Sequence, residues 1–509
     1  MKPRVRSIAP FLPIILLCLL TLMASGLHGS GLRVVGNRQE GSPTVTFRVL
    51  LQSGSIDDPK GKEGLSALTL SVLAKGGTGE MDYKAVLDRL YPMAASIEAF
   101  PDKEVMVLEG QCPANELEEF YLIFRGLITT PRFDPADFER EKNNAIDFIR
   151  STLRGNDDEL LAKTALDALI YRGHPYAHPV AGTLAGLEGI TREDLLAFHR
   201  GYFTLDNVTV GLIGGYPADF EERLGRDFAA GLPVSDASRQ VVELPPVSRE
   251  PGIEVLLIEK PCRSNVISMG HPLEITRRDR DHYPLMLANS FLGEHRTFNG
   301  LLMIRMRMVR GLNYGDYSYV EHFIQDGWST FARPNIPRTQ QDFSIWIRPV
   351  APENAHFSMR LAIHETSRLI EGGLSPEAFE KTRQFLLGYS KLWRQSPSRR
   401  IGILLDSIWY GLENDYIRTI EDRFASLAVE EANTALKKYL HPSDLKVVII
   451  CEDAEGLRDR LLRNAPSPIV YQDPGSTTPE LLAEDERVAH FPLPIRKVEI
   501  VKVEEMFED

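Results

Sequence analysis

The stretch EGLSALTLSVLAKGGT, residues 63–78, decides how the first part of this sequence folds. It is apolar on nearly every side from Gly64 to Leu73, and Gly76 and Gly77 close it. A helix that is apolar all round has to be buried. The stretch therefore predicts a buried helix around which the neighbouring segments pack.

Strands and amphipathic helices are predicted on both sides of this helix. Alternating apolar residues predict strands in LRVVGN (residues 32–37) and TVTFRVLLQSGS (residues 44–55). Two further strands are expected after the helix, and long amphipathic helices are expected from about Asn115 to Leu127 and from Pro135 to Arg154.

Two pairs of similar segments indicate an internal repeat. DPADFEREKNNAI begins at Asp134 and SPEAFEKTRQFLL begins 241 residues later, at Ser375. GYFTLDNVTV, from Gly201, pairs with KYLHPSDLKV at an offset of 237 residues. Similar offsets in the same order favour a duplicated α+β unit of roughly 220 residues over chance similarity between capped helices and strands.

The domain organisation follows from this repeat and from composition. A linker with three prolines, residues 243–254, separates an N-terminal domain (32–242) from a C-terminal domain (255–464). The tail, residues 465–509, is expected to be a tether that ends in an edge strand, because KVEIVKVEEMF alternates.

The N-terminus has the pattern of a targeting segment. Lys2, Arg4 and Arg6 precede an apolar run at residues 14–23, and small residues follow at 24–26. Ten apolar residues are too few for a bilayer span, which takes about 20. We expect residues 1–26 to be a cleaved secretory signal and the mature protein to be periplasmic or otherwise secreted, without a stable membrane span. An uncleaved anchor is the alternative.

The charge balance excludes one class of partner. The 509 residues contain 58 Lys and Arg against 71 Asp and Glu, a formal net charge of −13. Binding to a phosphate backbone needs clustered basic residues. We therefore expect no nucleic-acid partner.

Three segments together resemble peptidase family M16, which includes insulinase, pitrilysin and the mitochondrial processing peptidase. They are EGLSALTLSVLAKGGT, RGHPYAHPVAGT (residues 172–183) and RMRMVRGLNYGDYS (residues 305–318). The resemblance implies an α+β fold of two tandem homologous domains, each an antiparallel-rich sheet packed with helices.

The resemblance also implies a zinc site in active members, built from an HxxEH motif on the first helix and a later glutamate. The two His positions correspond to Ala67 and Ser71, the general base to Leu70, and the third ligand to Phe148. No histidine occurs between His28 and His174. We therefore expect this chain to bind no metal or other cofactor, and zinc to be present only in a partner subunit.

Carboxylates and histidines elsewhere are expected to be structural or solvated. Glu141 and Asp147 lie near the third-ligand position, and the prediction puts them on a solvated helix face. His174 and His178 are flanked by prolines, and a metal site there is only a secondary alternative. His295 and His322 are predicted to be polar surface residues.

In the second half, the spacing of Arg307 and Tyr314 matches a pair that faces the zinc in active M16 proteins. The resemblance implies that they act in trans to a partner's zinc site. A phenol donates to a developing oxyanion, and a guanidinium grips a carbonyl or carboxylate. The competing interpretation is a solvated helix stripe of Arg305, Arg307 and Arg310 that makes a few ion pairs.

The sequence thus predicts a catalytically incomplete M16 subunit that pairs with a zinc-bearing M16 chain and acts on peptides or unfolded protein. One alternative is a purely structural or binding homologue without a role in proteolysis. Another is a metallopeptidase with a relocated metal site at His174 or His178.

Overall fold

The computed structural model describes residues 31–235, 242–412, 416–473, 475 and 477–509. The targeting segment predicted at residues 1–26 lies outside them. Among the helices of the described residues, none combines the length and apolarity needed to cross a bilayer.

Residues 31–235 form a sheet and the helices around it. The strands are β1 (Arg33–Arg38), β2 (Thr44–Leu51), β3 (Ser96–Pro101), β4 (Met106–Pro113) and β5 (Val208–Gly214). The helices are α1 (Leu65–Ala74), α2 (Tyr83–Leu90), α3 (Leu117–Thr129), α4 (Pro135–Asp147), α5 (Asp158–Ile170), α6 (Leu184–Gly189), α7 (Arg192–Tyr202) and α8 (Phe220–Gly231).

The described residues from 242 onward repeat this arrangement with additions. The strands are β6 (Ile253–Glu259), β7 (Asn265–Leu273), β8 (Asp316–Tyr319), β9 (Gln341–Val350), β10 (Lys446–Cys451) and β11 (Ile495–Lys502). The helices are α9 (His282–Gly293), α10 (Ala355–Gly372), α11 (Pro376–Tyr389), α12 (Pro397–Trp409), α13 (Tyr416–Ser426), α14 (Val429–Tyr439), α15 (Ala454–Leu462) and α16 (Pro479–Ala489).

Both sheets are mixed, and antiparallel neighbours outnumber parallel ones. Within the described residues, the first sheet has the order β1-β5-β2-β4-β3 and the second has the order β11-β6-β10-β7-β9-β8. Only β1–β5, β6–β10 and β6–β11 are parallel pairs in these sheets. The predicted α+β fold with two similar units is confirmed, as is the edge strand at the C-terminus.

The repeated helix begins with the same kind of side-chain N-cap in each half. Asp134 accepts a hydrogen bond from the backbone N–H of Ala136, and Ser375 accepts one from that of Ala378. Each cap is followed by proline at the first helical position, where its missing N–H costs nothing.

The helix predicted from Pro135 to Arg154 is correct only in its first part. α4 ends at Asp147, and a π-helical segment, Phe148–Asn156, follows it. A π-helix replaces i→i−4 hydrogen bonds by i→i−5 bonds. Because apolar side chains continue along it, the sequence pattern does not reveal the change.

Each half contributes one helix to the other half's sheet. α5 packs on β7 and β10, and the core that it joins includes Leu256 and Ile450 of the second half. α12 packs in return on β2 and β5. Gly211 of β5 permits this approach, because a Cβ there would lie 2.7 Å from Cγ1 of Ile401.

A buried ion-pair cluster also joins the halves. The Arg338 guanidinium, in the segment before β9, donates to Asp102 at 3.0 Å and to Asp167 of α5 at 3.1 Å. Arg338 and Asp102 are each only 1% exposed. Burial alone raises the pKa of Asp102, but the Arg338 charge outweighs it and the pKa lies below its ordinary value. We call Arg338, Asp102 and Asp167 the clasp.

The C-terminal segment ties the second half to the first. After β11 has paired with β6, the backbone oxygens of Phe507 and Glu508 accept hydrogen bonds from Leu184 and Ala185, at 3.0 and 2.9 Å. Arg154 forms an ion pair with Glu508 at 2.9 Å. This end of the chain is therefore part of the packed structure.

Removing the clasp cation is expected to destabilise the protein strongly. Arg338→Ala leaves two carboxylates, one of them fully buried, without their counter-charge, and we expect a loss of about 3–5 kcal/mol in the free energy of unfolding. Urea unfolding measures it. The matched control is Arg280→Ala, because Arg280 makes an exposed ion pair with Glu431, which is worth about 0–1 kcal/mol. Equal losses in both variants would contradict the assignment.

Candidate functional site

A cavity of about 570 Å³ lies between the two halves. α1 forms part of its wall with the side that carries Ala67 and Ser71, and Phe148 lines it from the π-helical segment. Leu70 points the other way and is buried in the core of the first half. Three of the four positions that the sequence assigned to the family's zinc site thus share one cavity.

Glu141 of α4 is a buried carboxylate in the wall that α1 forms. Its carboxylate accepts a hydrogen bond from the Ser71 hydroxyl at 2.8 Å and pairs with Lys75 at 3.4 Å and with Arg140 at 3.1 Å. The expectation that Glu141 lies on a solvated face is wrong, because α4 turns it inward against α1. Asp147 is exposed, as expected.

The opposite wall is built on β9. Asp342, Ser344 and Trp346 line the cavity, whereas Phe343 and Ile345 between them belong to the core of the second half. This alternation is the period of two expected for a strand. One face of β9 therefore places a carboxyl group and an indole in the same cavity.

Aromatic rings extend this wall. Ring centroids are 4.2 Å apart for Tyr319 and Trp346, and 4.6 Å apart for His295 and Phe323. The ammonium group of Lys163, from α5, lies 4.1 Å from the Trp346 ring centroid. The Trp346 ring thus already makes a cation–π contact with the Lys163 ammonium group.

The prediction that His295 and His322 are surface residues is wrong. Both line the cavity. His295 makes hydrogen bonds with Tyr319 and Gln325, and His322 contacts Arg338 at 2.9 Å. Burial lowers the pKa of each imidazole to about 4. The neighbouring glutamates suggested exposure, but the loop that carries His322 folds inward between the halves.

His174 and His178 have structural partners. His174 is buried and accepts a hydrogen bond from the backbone N–H of Tyr176 at 3.1 Å, and His178 lies 3.3 Å from Asp58. The buried Lys103 donates to the backbone oxygens of Tyr176 and His178. Within the part of the chain that the structure describes, no group of three or more His, Cys, Asp and Glu side chains is arranged to hold a metal ion.

Arg307 and Tyr314 lie together on the surface of the second half. Arg307 is in a π-helical segment, Met303–Met308, and its guanidinium lies 4.1 Å from the Tyr314 ring centroid. Tyr314 is 68% exposed. As far as the described residues show, neither side chain lines the cavity.

Arg305 and Arg310 make ion pairs, as the stripe interpretation allows, but they are partly or fully buried and not solvated. Arg310 is buried and pairs with Asp485 of α16 at 2.7 Å. Arg305 pairs with Glu484 of the same helix. No ion pair of Arg307 is found among the described residues. α16 therefore fixes the segment on both sides of Arg307 and leaves that guanidinium free of a counter-charge.

Family models match this architecture. Residues 33–184 match the family described as insulinase (peptidase family M16), and residues 189–386 match the peptidase M16 inactive domain. Together these matches extend over more than half of the chain. The chain belongs to peptidase family M16.

Individual M16 relatives are distant. The non-peptidase homolog YmxG of Helicobacter pylori is 22% identical over 78% of this chain and 86% of its own length. The crystal structure of a peptidase M16 inactive domain from Pseudomonas fluorescens matches with a TM-score of 0.72 at 23% identity, over 83% of this chain and 96% of that chain. The periplasmic protease PqqL from Escherichia coli matches with a TM-score of 0.64 at 14% identity, over 92% of this chain and 50% of that chain.

The cavity residues that the sequence assigns to the family's zinc positions do not fit zinc. Methyl, hydroxymethyl and benzyl groups replace the imidazole and carboxylate ligands that zinc prefers. The Glu141 carboxylate is already engaged by Ser71 and by two cations. The M16 fold is thus retained around a wall with a different chemistry.

Asp316, beside Tyr314, makes the stability of this region depend on pH. It is fully buried, Asn313 donates to it at 2.6 Å, and burial raises its pKa to about 8. The folded state therefore holds the proton more tightly than the unfolded chain, whose aspartates titrate near 4. The stability that this proton brings is complete below about pH 4 and is lost as the pH rises through about 8.

We expect Asp316→Asn to flatten this dependence. The variant should exceed the wild type by about 1–3 kcal/mol in unfolding free energy at pH 8, and the difference should shrink towards pH 4. Urea unfolding across this range measures it. The exposed Asp219→Asn is the control. A difference that does not change with pH would contradict the assignment.

Proposed function

We propose that this chain is a catalytically incomplete M16 subunit that pairs with a separate, zinc-bearing M16 chain. The partner supplies the HxxEH motif, and this chain supplies Arg307 and Tyr314 across the interface for peptide hydrolysis. Zinc is bound by the partner only, since Ala67, Leu70, Ser71 and Phe148 offer no ligand set.

One observation carries this proposal: within the described part of the chain, Arg307 has no ion pair, whereas Arg305 and Arg310 on either side of it are both fixed by α16. Its guanidinium stacks on an exposed phenol instead. Exposed Phe298 lies 5.4 Å from the same guanidinium, and Met308 beside it is also exposed. A cation with aromatic and apolar neighbours is typical of the centre of a protein interface.

The substrate is a peptide or an unfolded segment. β3 is an edge strand of the first sheet, and Pro101 at its end lines the cavity. An extended chain adds to such an edge by backbone hydrogen bonds more easily than a folded domain does. The targeting pattern at the N-terminus, together with the periplasmic location named for PqqL, supports export to the periplasm.

A second candidate is a purely structural or binding M16 subunit. The relative from Helicobacter pylori is described as a non-peptidase homolog, which favours a role without proteolysis. The relocated metal site at His174 or His178 has no observation in its favour. Stoichiometric zinc in the isolated chain would revive it and contradict the main proposal.

The test is a peptidase assay with this chain alone and with a co-purified M16 chain that carries HxxEH. We expect activity only in the pair. Tyr314→Phe should lower kcat about 10²-fold, as the loss of one oxyanion donor does elsewhere, and Arg307→Ala should act in the same direction.

Matched controls separate catalysis from general surface effects. Tyr91→Phe changes an exposed tyrosine of the first half, and Arg226→Ala removes an exposed arginine with a local ion pair. Neither should alter kcat. Undiminished cleavage by a pair that carries Arg307→Ala and Tyr314→Phe would refute the in-trans role and favour the structural candidate.

A further inference from the structure

Asp342 is a carboxyl group without a partner in the wall of the cavity. It is only 8% exposed, yet it lines the space between the halves. No hydrogen bond or ion pair to its oxygens occurs among the described residues. A buried carboxylate is costly unless it is paired or protonated, so a cation that reaches this position would find a carboxyl group able to pair with it.

The other charges of the cavity wall are already matched. Arg338 is shared between Asp102 and Asp167, and Lys75 pairs with Glu141. The Lys163 ammonium is 3.9 Å from Glu159 and also lies over Trp346. Among the described residues, Asp342 is therefore the charged group of the wall without a counter-ion. Its carboxylate favours binding of a cation over binding of an anion.

The surroundings of Asp342 keep its carboxyl group partly protonated near pH 7. Burial is the main cause, the nearby Asp167 adds to it and Arg338 opposes it, and together they raise the pKa to about 7. Tyr171, the residue directly after α5, also interacts with it electrostatically. Lys103, Asp102 and His322 complete the surrounding cluster around Arg338 and Asp167. A bound cation would displace the remaining proton.

Apolar side chains make up much of the remaining cavity wall and leave room for a stem. Trp346 lies two strand positions beyond Ser344 on the same face of β9, and Phe148 and Leu68 line the opposite wall. Its volume of about 570 Å³ is in the range of small-ligand sites, which are mostly apolar with a few fixed polar groups.

We propose that this cavity binds a primary ammonium group carried on an apolar stem, with the ammonium paired to Asp342 and the stem packed against Trp346. The site belongs to this chain alone and does not require the pairing proposed above. Two sources share this chemistry: a lysine side chain of an extended peptide and a free alkylamine.

The experiment is isothermal titration calorimetry on the purified full chain with n-hexylammonium and with the peptide acetyl-Leu-Lys-Leu-amide. Hexanoate and hexanol are the anionic and neutral comparisons. Binding of either ammonium probe at pH 7 should release protons, seen as a dependence of the observed heat on the buffer. Affinity should rise from pH 5 to pH 8 as the carboxylate forms.

Asp342→Asn keeps the size of the side chain and removes the charge. We expect it to weaken ammonium binding at least tenfold and to abolish the proton release, while hexanol binding stays unchanged. Asp219→Asn, which makes the same change at an exposed carboxylate outside the cavity, is the matched control and should retain both the ammonium affinity and the proton release. Asp342→Ser serves as a second variant if Asp342→Asn unfolds.

Each outcome decides the proposal. Binding of either ammonium probe supports it: the peptide alone identifies a lysine side chain as the source, hexylammonium alone identifies a free alkylamine, and binding of both shows that the site accepts either. Binding of hexanoate as tightly as hexylammonium, unchanged affinity in Asp342→Asn, or no binding of either ammonium probe overturns it. The pairing with a zinc-bearing chain is unaffected by any of these results, because its assay uses Arg307 and Tyr314.

Discussion

The Arg338 guanidinium bridges Asp102 and Asp167, and the rest of the structure depends on this interaction. Asp102 follows β3 of the first sheet, and Asp167 belongs to α5, the helix that packs on the second sheet. Arg338 itself leads into β9. One guanidinium therefore fixes three elements whose side chains line the cavity, and the space between the halves takes its shape from that geometry.

The clasp also explains the chemistry of the cavity. Arg338 is paired with two other carboxylates and lowers the pKa of Asp342 only in part. Burial and the nearby Asp167 therefore keep that pKa raised. On the opposite wall, Ser71 and two cations satisfy Glu141. The charge on the α1 wall is thus matched by its own neighbours, while the β9 wall keeps one acid without a partner among the described residues.

The sequence predicts the elements well because local signals specify them. The apolar helix at residues 65–74, the capped helices that begin at Pro135 and Pro376, and the alternating C-terminal strand are all confirmed. Residue similarity to M16 proteins also locates Ala67, Ser71 and Phe148, which the fold brings to one cavity.

The parts that escape prediction depend on contacts distant in sequence. Nothing local in α5 or α12 shows that each covers the other half's sheet. His295 and His322 look exposed beside glutamates, yet the loops that carry them turn into the cavity. Asp342 is one acid among many until β9 is placed, because its lack of a partner is a property of the whole clasp and not of its neighbours in sequence.

The chain therefore offers two chemically different surfaces at separate places. The cavity presents an acid and aromatic rings, whereas the outer face of the second half presents Arg307 stacked on Tyr314. Helix α16 forms ion pairs with Arg305 and Arg310. Among the described residues, Arg307 is therefore the arginine of this segment that stays unpaired at the outer face. A ligand in the cavity and a partner on the outer face would compete for no side chain, so binding at one surface does not exclude binding at the other.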